Sequence, residues 1–299
     1  MKKIAVIGSI NMDMTVETDR IPRKGETVPG KTIHYIPGGK GANQAVAAAR
    51  LGGDVTFFGC VGTDAFGEQL LANLNREGIH TEHIARVSDC SSGLAVITVG
   101  ENDNTIVVIP GANSAVTPAY LDTVKQEILK ADLILLQNEI PQETVRRAID
   151  LCAEAGKTVV YNPAPAYPMP REQMDKISYL TPNEHELAIV LSSSDPLEAQ
   201  LLAYPEKLIV TLGSAGVCTA QNGQILTVPA HKATVVDTTG AGDTFNGAFA
   251  WALAAGQAFE AALDLANAAA ALSVEALGAQ SGMPRLEAVL KRQQQRADR

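Results

Sequence analysis

Asp237-Thr-Thr-Gly-Ala-Gly-Asp-Thr-Phe-Asn-Gly-Ala248 joins an apolar β-branched run, Ala233 to Val236, to a helical pattern. Phe245, Ala248, Phe249, Ala252 and Leu253 recur at i, i+3, i+4, i+7 and i+8, which is one face of a 3.6-residue repeat. A strand, a glycine turn and a helix are expected in that order. Gly240 and Gly242 let the backbone turn sharply and let another group come close. The first N–H groups of the helix lack internal partners and carry the positive end of its dipole, so they suit an anion. Asp243 puts a carboxylate into that anion site, where two negative groups repel. The pairing makes chemical sense if Asp243 takes a proton from a nucleophile while the N–H groups hold charge building on a phosphoryl group. A plain helix cap on a glycine turn fits the same residues.

Outward from this stretch, the chain has the length of one large α/β domain, 299 residues with 46% hydrophobic content. Only 4% is aromatic, so the core is built of Ala, Val, Leu and Ile. A net charge of −9 argues against a nucleic-acid partner, which needs a basic face. Backbone N–H groups and a metal ion still allow a small anionic ligand. Cys60, Cys90, Cys152 and Cys218 are far apart with no C-x-x-C, which reads as free thiols in a reducing compartment. The apolar run after Met1-Lys-Lys is too short for a signal peptide and nothing reaches membrane-spanning length, so a cytoplasmic protein without membrane contact is expected.

Ile4 to Ile7 reads as a buried strand ending at Gly8, with Asn11 and Asp13 just beyond it. In extended backbone that spacing points both side chains the same way, toward a ligand rich in hydroxyls or simply into a loop. Met14 to Glu17 and Lys31 to Ile36 read as strands of a flap. Leu94 to Val99 and Thr105 to Ile109 flank the hairpin signal Gly100-Glu-Asn-Asp-Asn104. Together these four form a small mixed or antiparallel sheet. Gly38-Gly-Lys-Gly-Ala-Asn-Gln44 opens an alanine-rich helix. It is not a Walker A loop, which needs Gly at His34 and Ser or Thr at Gly41. It is not a dinucleotide fingerprint either, since G-x-G-x-x-G does not match and no early strand is expected to run directly into it. Lys40 and Asn43 stand at its mouth, facing a polar ligand or solvent.

Val55–Cys60 reads as a further strand, and a helix follows through Leu70, Leu71 and Leu74. From residue 110 onward strands and helices alternate. The strands are 133–137, 158–162, 177–181 and 208–212, and the helices 118–129 and 142–155. Alternation of this kind implies a parallel sheet covered on both faces, with ligands beyond the carboxyl ends of its strands. Glu139, Asn162, Asn183 and Glu186, and Thr211-Leu-Gly-Ser-Ala-Gly216, all fall at such ends. The last of these suits a flat ring or a phosphate lying on backbone, or a tight hairpin. Asn183 to Glu186 reads equally as an acidic helix start.

Taken together, Gly8-Ser-Ile-Asn-Met-Asp13, Gly38 to Gln44, Asn162-Pro-Ala-Pro165, Thr181-Pro-Asn-Glu184, Thr211-Leu-Gly213 and Asp237 to Gly247 resemble, in matching order along the whole chain, the PfkB carbohydrate kinase family in its ribose-directed branch. The resemblance implies a single α/β domain over 1–299, its mostly parallel central sheet sandwiched by helices. A small β-sheet lid of 14–37 and 91–109 would be inserted in it, and its edge would serve as a homodimer contact. It implies Asp243 as base toward the sugar's O5 hydroxyl and Gly240, Ala241 and Gly242 as anion hole. Asn11, Asp13, Gly39, Lys40, Gly41, Asn43 and Glu139 would contact the sugar. Asn183, Thr211, Gly213, Ser214, Gly216, Gly242 and Asn267 would contact ATP. Glu186 is associated with Mg²⁺, and Asp237, Thr239, Ser273, Ala276, Gly278 and Gly282 with an activating K⁺. Two departures stand out. Gly282 occupies a position where a Ser is expected, and Leu191 to Lys207 is shorter than usual. The activity implied is ATP-dependent phosphorylation of ribose. Open alternatives are deoxyribose or another small sugar as acceptor, and a catalytically silent sugar-binding regulator. A nicotinamide oxidoreductase lacks its glycine fingerprint.

Overall fold

The computed structural model describes residues 2–101 and 103–297. The first half runs β1 (Lys3–Ile7), β2 (Asn11–Thr18), β3 (Gly30–Gly38), α1 (Lys40–Arg50), β4 (Asp54–Gly62), α2 (Ala65–Arg76), β5 (Ile84–Val87), β6 (Gly93–Gly100) and β7 (Asp103–Ile109). It continues with α3 (Pro118–Ile128), β8 (Leu133–Leu136), α4 (Gln142–Glu154), β9 (Thr158–Tyr161), α5 (Arg171–Lys176) and β10 (Tyr179–Leu180). The last part is α6 (Glu184–Leu191), α7 (Leu197–Ala203), β11 (Val210–Thr211), β12 (Val217–Gln221), β13 (Gln224–Val228), α8 (Ala241–Ala254), α9 (Phe259–Ser273) and α10 (Leu286–Ala297).

Six strands pair in parallel in the order β10-β9-β8-β1-β4-β5. Their runs are apolar on both faces because both faces are covered. In β1, Ile4 and Val6 enter one core while Ala5 and Ile7 enter the other. In β8, Leu133 and Leu135 part from Ile134 and Leu136 in the same way, as a period of two requires. Helices α1, α2, α8, α9 and α10 cover the first face and α3 to α7 the second. Beyond β10, parallel bridges Leu180↔Leu208 and Asn183↔Thr211 lead to a three-stranded antiparallel sheet β11-β12-β13. A separate four-stranded sheet has the order β3-β2-β6-β7, parallel between β2 and β6 and antiparallel elsewhere. The hairpin signal before β7 includes Asn102, which lies outside the described residues, as do Met1, Asp298 and Arg299.

Several expectations need correction. Residues 233–236 form no strand, and Val235 and Val236 are 62% and 59% exposed. The segment meets no strand; instead the N–H groups of Val236 and Asp237 donate to the Val274 carbonyl at 2.7 and 3.2 Å. β-branched residues favour strands only where a pleated, half-buried neighbour exists. Helix α8 is buried on nearly all sides, not on one face, because it lies between α1 and α9. Gly247 permits this, since a Cβ there would overlap the Gln44 carbonyl oxygen on α1. A strand does run into the Gly38 stretch: β3 ends at Gly38 and α1 starts at Lys40. It belongs to the small sheet, so the unit is not the βα turn of a dinucleotide fold. The stretches 177–181 and 208–212 shrink to two-residue strands, and the short segment after Leu191 still holds α7. The four cysteines carry free thiols. Among the described residues no helix is long and apolar enough to cross a membrane.

Candidate active site

Asp243 lies in the first turn of α8 and is only 7% exposed. Its Oδ2 accepts from Asn43 Nδ2 at 3.0 Å and its Oδ1 from Gln44 Nε2 at 3.1 Å, both donors being on α1. Gly240 precedes the helix in the left-handed region, φ 78°, where only glycine sits without strain. A Cβ there would press on Ala279 of the loop after α9. The Ala241 N–H is spent on the Thr238 carbonyl at 3.2 Å. The N–H groups of Gly242 and Asp243 have no partner among the described residues, and the space over Gly242 is open. The unpaired N–H groups of the helix start are therefore those of Gly242 and Asp243.

Facing Asp243, strand β2 turns Asn11 and Asp13 to one side, as alternation dictates. Asn11 is held by Asn113, whose Nδ2 donates to Asn11 Oδ1 at 2.7 Å, leaving the Asn11 amide N–H₂ to point onward. Gly38 carries no side chain because the Asp13 carboxylate occupies that space. Glu139 is pinned to the start of α1: its Oε2 accepts from the Lys40 N–H at 2.9 Å and from Ser9 Oγ at 2.6 Å. Gly41 packs on the Gly8–Ser9 backbone, and Gly39 opens the helix at φ 87°. Asn11, Asp13, Gly39, Lys40, Gly41, Asn43, Glu139 and Asp243 thus come together between the small sheet and the carboxyl edge of the parallel one. Burial pushes the Asp13 carboxyl up to about 7, and the Glu139 and Asp243 carboxylates add to this against Lys40. The Lys40 ammonium is held above its ordinary range, first by Asp243, against its own burial and with help from Glu139, Glu186 and Asp13. Lys40 among the Asp13, Glu139 and Asp243 carboxylates makes a cup suited to bonding hydroxyls.

On the other side of Asp243, Asn183 and Glu186 form a reciprocal cap at the start of α6. The Glu186 N–H donates to Asn183 Oδ1, and the Asn183 N–H to Glu186 Oε2, each at 2.8 Å. Glu186 is raised by burial, opposed by the Asn183 N–H and by Lys40. Thr211, Gly213, Ser214 and Gly216 form the turn between β11 and β12, closed by the Leu212 N–H on the Gly216 carbonyl at 2.8 Å. A Cβ on Gly216 would overlap the Val228 carbonyl oxygen. That same oxygen accepts from Asn267 Nδ2 at 2.8 Å, so the buried Asn267 sits beside this turn with its amide donor occupied.

Asp237, Thr239, Ala276, Gly278 and Gly282 fall on two adjoining loops, and Ser273 ends α9 just before the second. Asp237 Oδ1 accepts from Thr239 N–H and Oγ1 at 2.9 and 2.7 Å, and Oδ2 from Gly278 N–H at 2.8 Å. Burial raises this carboxyl, but the three donors outweigh it and hold it below the ordinary range. Ser273 Oγ donates to the Ala270 carbonyl at 2.8 Å. A Cβ at Gly282 would overlap the Ser273 carbonyl oxygen, which accounts for the missing side chain there. Among the described residues no group of three or more His, Cys, Asp or Glu gathers as if to hold a metal ion by side chains alone.

Residue patterns missed Gln44, Ser9, Asn113 and Gln280. Gln280 Nε2 donates to Asn43 Oδ1 at 3.0 Å and fixes the orientation of that amide. The one local signal was Gln44 itself, a polar residue in an otherwise alanine-rich helical run.

Residues 1–286 match the profile of the pfkB family carbohydrate kinase. The chain is 48% identical over 284 residues to a ribokinase of Bacillus subtilis (strain 168), covering 95% of this chain and 97% of that one. A deoxyribokinase of Salmonella typhi is 38% identical over 294 residues, covering 95% and 96%. Among solved structures, a ribokinase from Thermotoga maritima superposes with a TM-score of 0.90 at 36% identity, covering 98% of this chain and all (100%) of that one. The Arabidopsis thaliana ribokinase complexed with ribose and ATP superposes at 0.87 with 34% identity, covering 97% and 98%.

Proposed function

The chain belongs to the pfkB family of carbohydrate kinases, and on that premise we propose that it transfers the terminal phosphoryl group of ATP to O5 of D-ribose, giving ribose 5-phosphate. The observation that carries this reading is the buried Asp243, held on both oxygens by α1 amides between a polar cup and a glycine helix start. Asp243 accepts the proton of the attacking hydroxyl. Asn11, Asp13, Lys40, Asn43, Glu139 and the Gly39–Gly41 backbone orient the sugar so that this hydroxyl faces the phosphoryl group. The free N–H groups of Gly242 and Asp243 receive the charge on the transferring oxygens. Little covalent work is left to the protein, since phosphoryl transfer needs positioning and charge stabilisation. The ATP side is read as Asn183, the Thr211–Gly216 turn and Asn267.

Mg²⁺ is assigned to the neighbourhood of Glu186, where the raised carboxyl stands close enough to feel both Lys40 and Asp243. When bound it neutralises charge on the phosphates. An activating K⁺ is assigned to the Asp237 and 273–282 loops. Main-chain oxygens with one carboxylate suit a large, hard monovalent cation. The small sheet closes over the sugar as a lid of 14–37 and 91–109. Homodimerisation through it is supported by β7, which is exposed along its whole length and carries Ile106, Val107, Val108 and Ile109 at 42–62% exposure. Because it consumes ATP, we assign it to the cytoplasm.

The test is a panel of ribose, 2-deoxyribose, fructose and adenosine with ATP, scored as kcat/KM. Ribose is expected to lead, because a site built to bond a hydroxyl rejects an analogue lacking it. Equal efficiency on ribose and deoxyribose would move the assignment to a broader sugar kinase.

A further inference from the structure

Of the two amides that hold Asp243, Asn43 also faces the sugar, whereas Gln44 has so far been given no role of its own. It sits in the second turn of α1 with no exposed surface. Its Nε2 donates to Asp243 Oδ1 at 3.1 Å and also lies 3.2 Å from Asn162 Oδ1. Its Oε1 accepts from Gln137 Nε2 at 2.7 Å. Asn162 Nδ2 in turn donates to the Thr181 carbonyl at 3.0 Å. Gln137, Asn162 and Thr181 each follow the last residue of a different strand, β8, β9 and β10. The Gln44 amide therefore has a single satisfied orientation. A flip would set its oxygen against the oxygens of Asp243 and Asn162, and its nitrogen against that of Gln137.

The charges around Asp243 explain why a neutral donor stands there. Asp13 on β2 and Glu186 on α6 are carboxylates close enough to act on it, Glu139 after β8 lies beside Asp13, and Lys40 on α1 supplies an ammonium. A polar side chain buried in an alanine-rich helix is unfavourable unless fully bonded. Here its bonds converge on the reacting carboxylate.

We propose that Gln44 is a positioning residue for the phosphoryl transfer: its amide, anchored by the ends of β8 and β9, turns the Asp243 carboxylate and keeps its free lone pair aimed at the sugar hydroxyl. The proposal rests on the sugar-kinase reading above. Gln44 touches no substrate, so its loss acts on the chemical step and not on binding.

The experiment compares wild type, Gln44→Met and Gln44→Glu in kcat, KM for sugar and ATP, and thermal unfolding. The wild-type rate on ribose tests the sugar-kinase reading. The variant-to-wild-type ratios, taken on whichever sugar the wild type uses best, test Gln44. Gln44→Met keeps length and shape but donates nothing, and its kcat is expected to fall about ten- to a hundredfold, since small misplacements of a reacting group cost up to about a hundredfold. Both KM values stay within about threefold. Gln44→Glu keeps the shape more closely still, yet it sets a second carboxylate against Asp243, and such a pair shares a proton. Its kcat at neutral pH is expected to fall below that of Gln44→Met and to recover as pH rises. A residue that only fills space predicts a Gln44→Met enzyme with near wild-type kcat. The proposal is overturned if kcat changes less than about threefold in both variants, if KM bears the loss, or if Gln44→Glu is the more active at neutral pH. Should Gln44→Met fail to fold, Gln44→Leu takes its place: a tenfold or larger loss of kcat with both KM values kept supports the role, and a kcat within about threefold of wild type overturns it.

Discussion

Replacing Asp243 by Asn removes one negative charge and almost no volume, and its consequences follow from the two amides that hold the carboxylate. Asn43 Nδ2 at 3.0 Å and Gln44 Nε2 at 3.1 Å both donate. A carboxamide at 243 offers one acceptor and one donor, so one of its ends meets a donor whichever way it turns. Relief by flipping Gln44 breaks its bond from Gln137, and relief by flipping Asn43 breaks its bond from Gln280. One unsatisfied buried group costs about 1–3 kcal/mol. Loss of the proton acceptor is a separate and larger effect on rate, about 10²–10⁴-fold, or roughly 3–6 kcal/mol at about 1.4 kcal/mol per decade. The expected outcome is a folded protein that binds sugar and ATP and turns over at least a hundredfold more slowly. Steady-state kinetics with titration calorimetry for each ligand separates the two effects. Turnover within about tenfold of wild type, with both ligands still bound, would falsify the assignment of Asp243 as base.

Asp13→Ala is expected to lower kcat/KM for ribose about 10- to 150-fold, the worth of a charge-assisted bond, while KM for ATP stays within about threefold. Because the Asp13 carboxyl is pushed up to about 7, its sign for stability is unfavourable: the folded state binds the proton more tightly than the unfolded one. Stability should therefore fall as pH rises from about 4 to about 7, and Asp13→Asn should flatten that slope in denaturant titrations at stepped pH. K⁺ should activate better than Na⁺, and equal rates in K⁺ and tetramethylammonium at matched ionic strength would remove the cation from the Asp237 loops. Gly282→Ser should destabilise by about 1–3 kcal/mol through overlap with the Ser273 carbonyl oxygen and should not tighten the K⁺ response. A raised melting temperature together with stronger K⁺ activation would contradict the packing described for that loop.

What the sequence determined by itself is local. Apolar four-residue runs such as Leu133–Leu136, too short for a buried helix, read as strands buried on both faces, and their alternation with helices implies a parallel sheet. The Asn183 to Glu186 spacing writes its own helix cap, and Gly240 before Asp243 writes a helix start. Patterns of this kind work because the interacting atoms are a few residues apart and backbone geometry fixes where they meet. Tertiary structure decided the rest. Val235 and Val236 have strand character but meet no partner strand, so they remain exposed coil. Gln44 and Asn43 reach Asp243 across 199 and 200 residues, and Gln280 reaches Asn43 across 237. Asn113 orients Asn11 across 102. No periodicity carries such pairings. They exist because Gly247 lets α8 touch α1 and because the strand ends converge on one edge, where buried amides must find partners or leave the fold less stable.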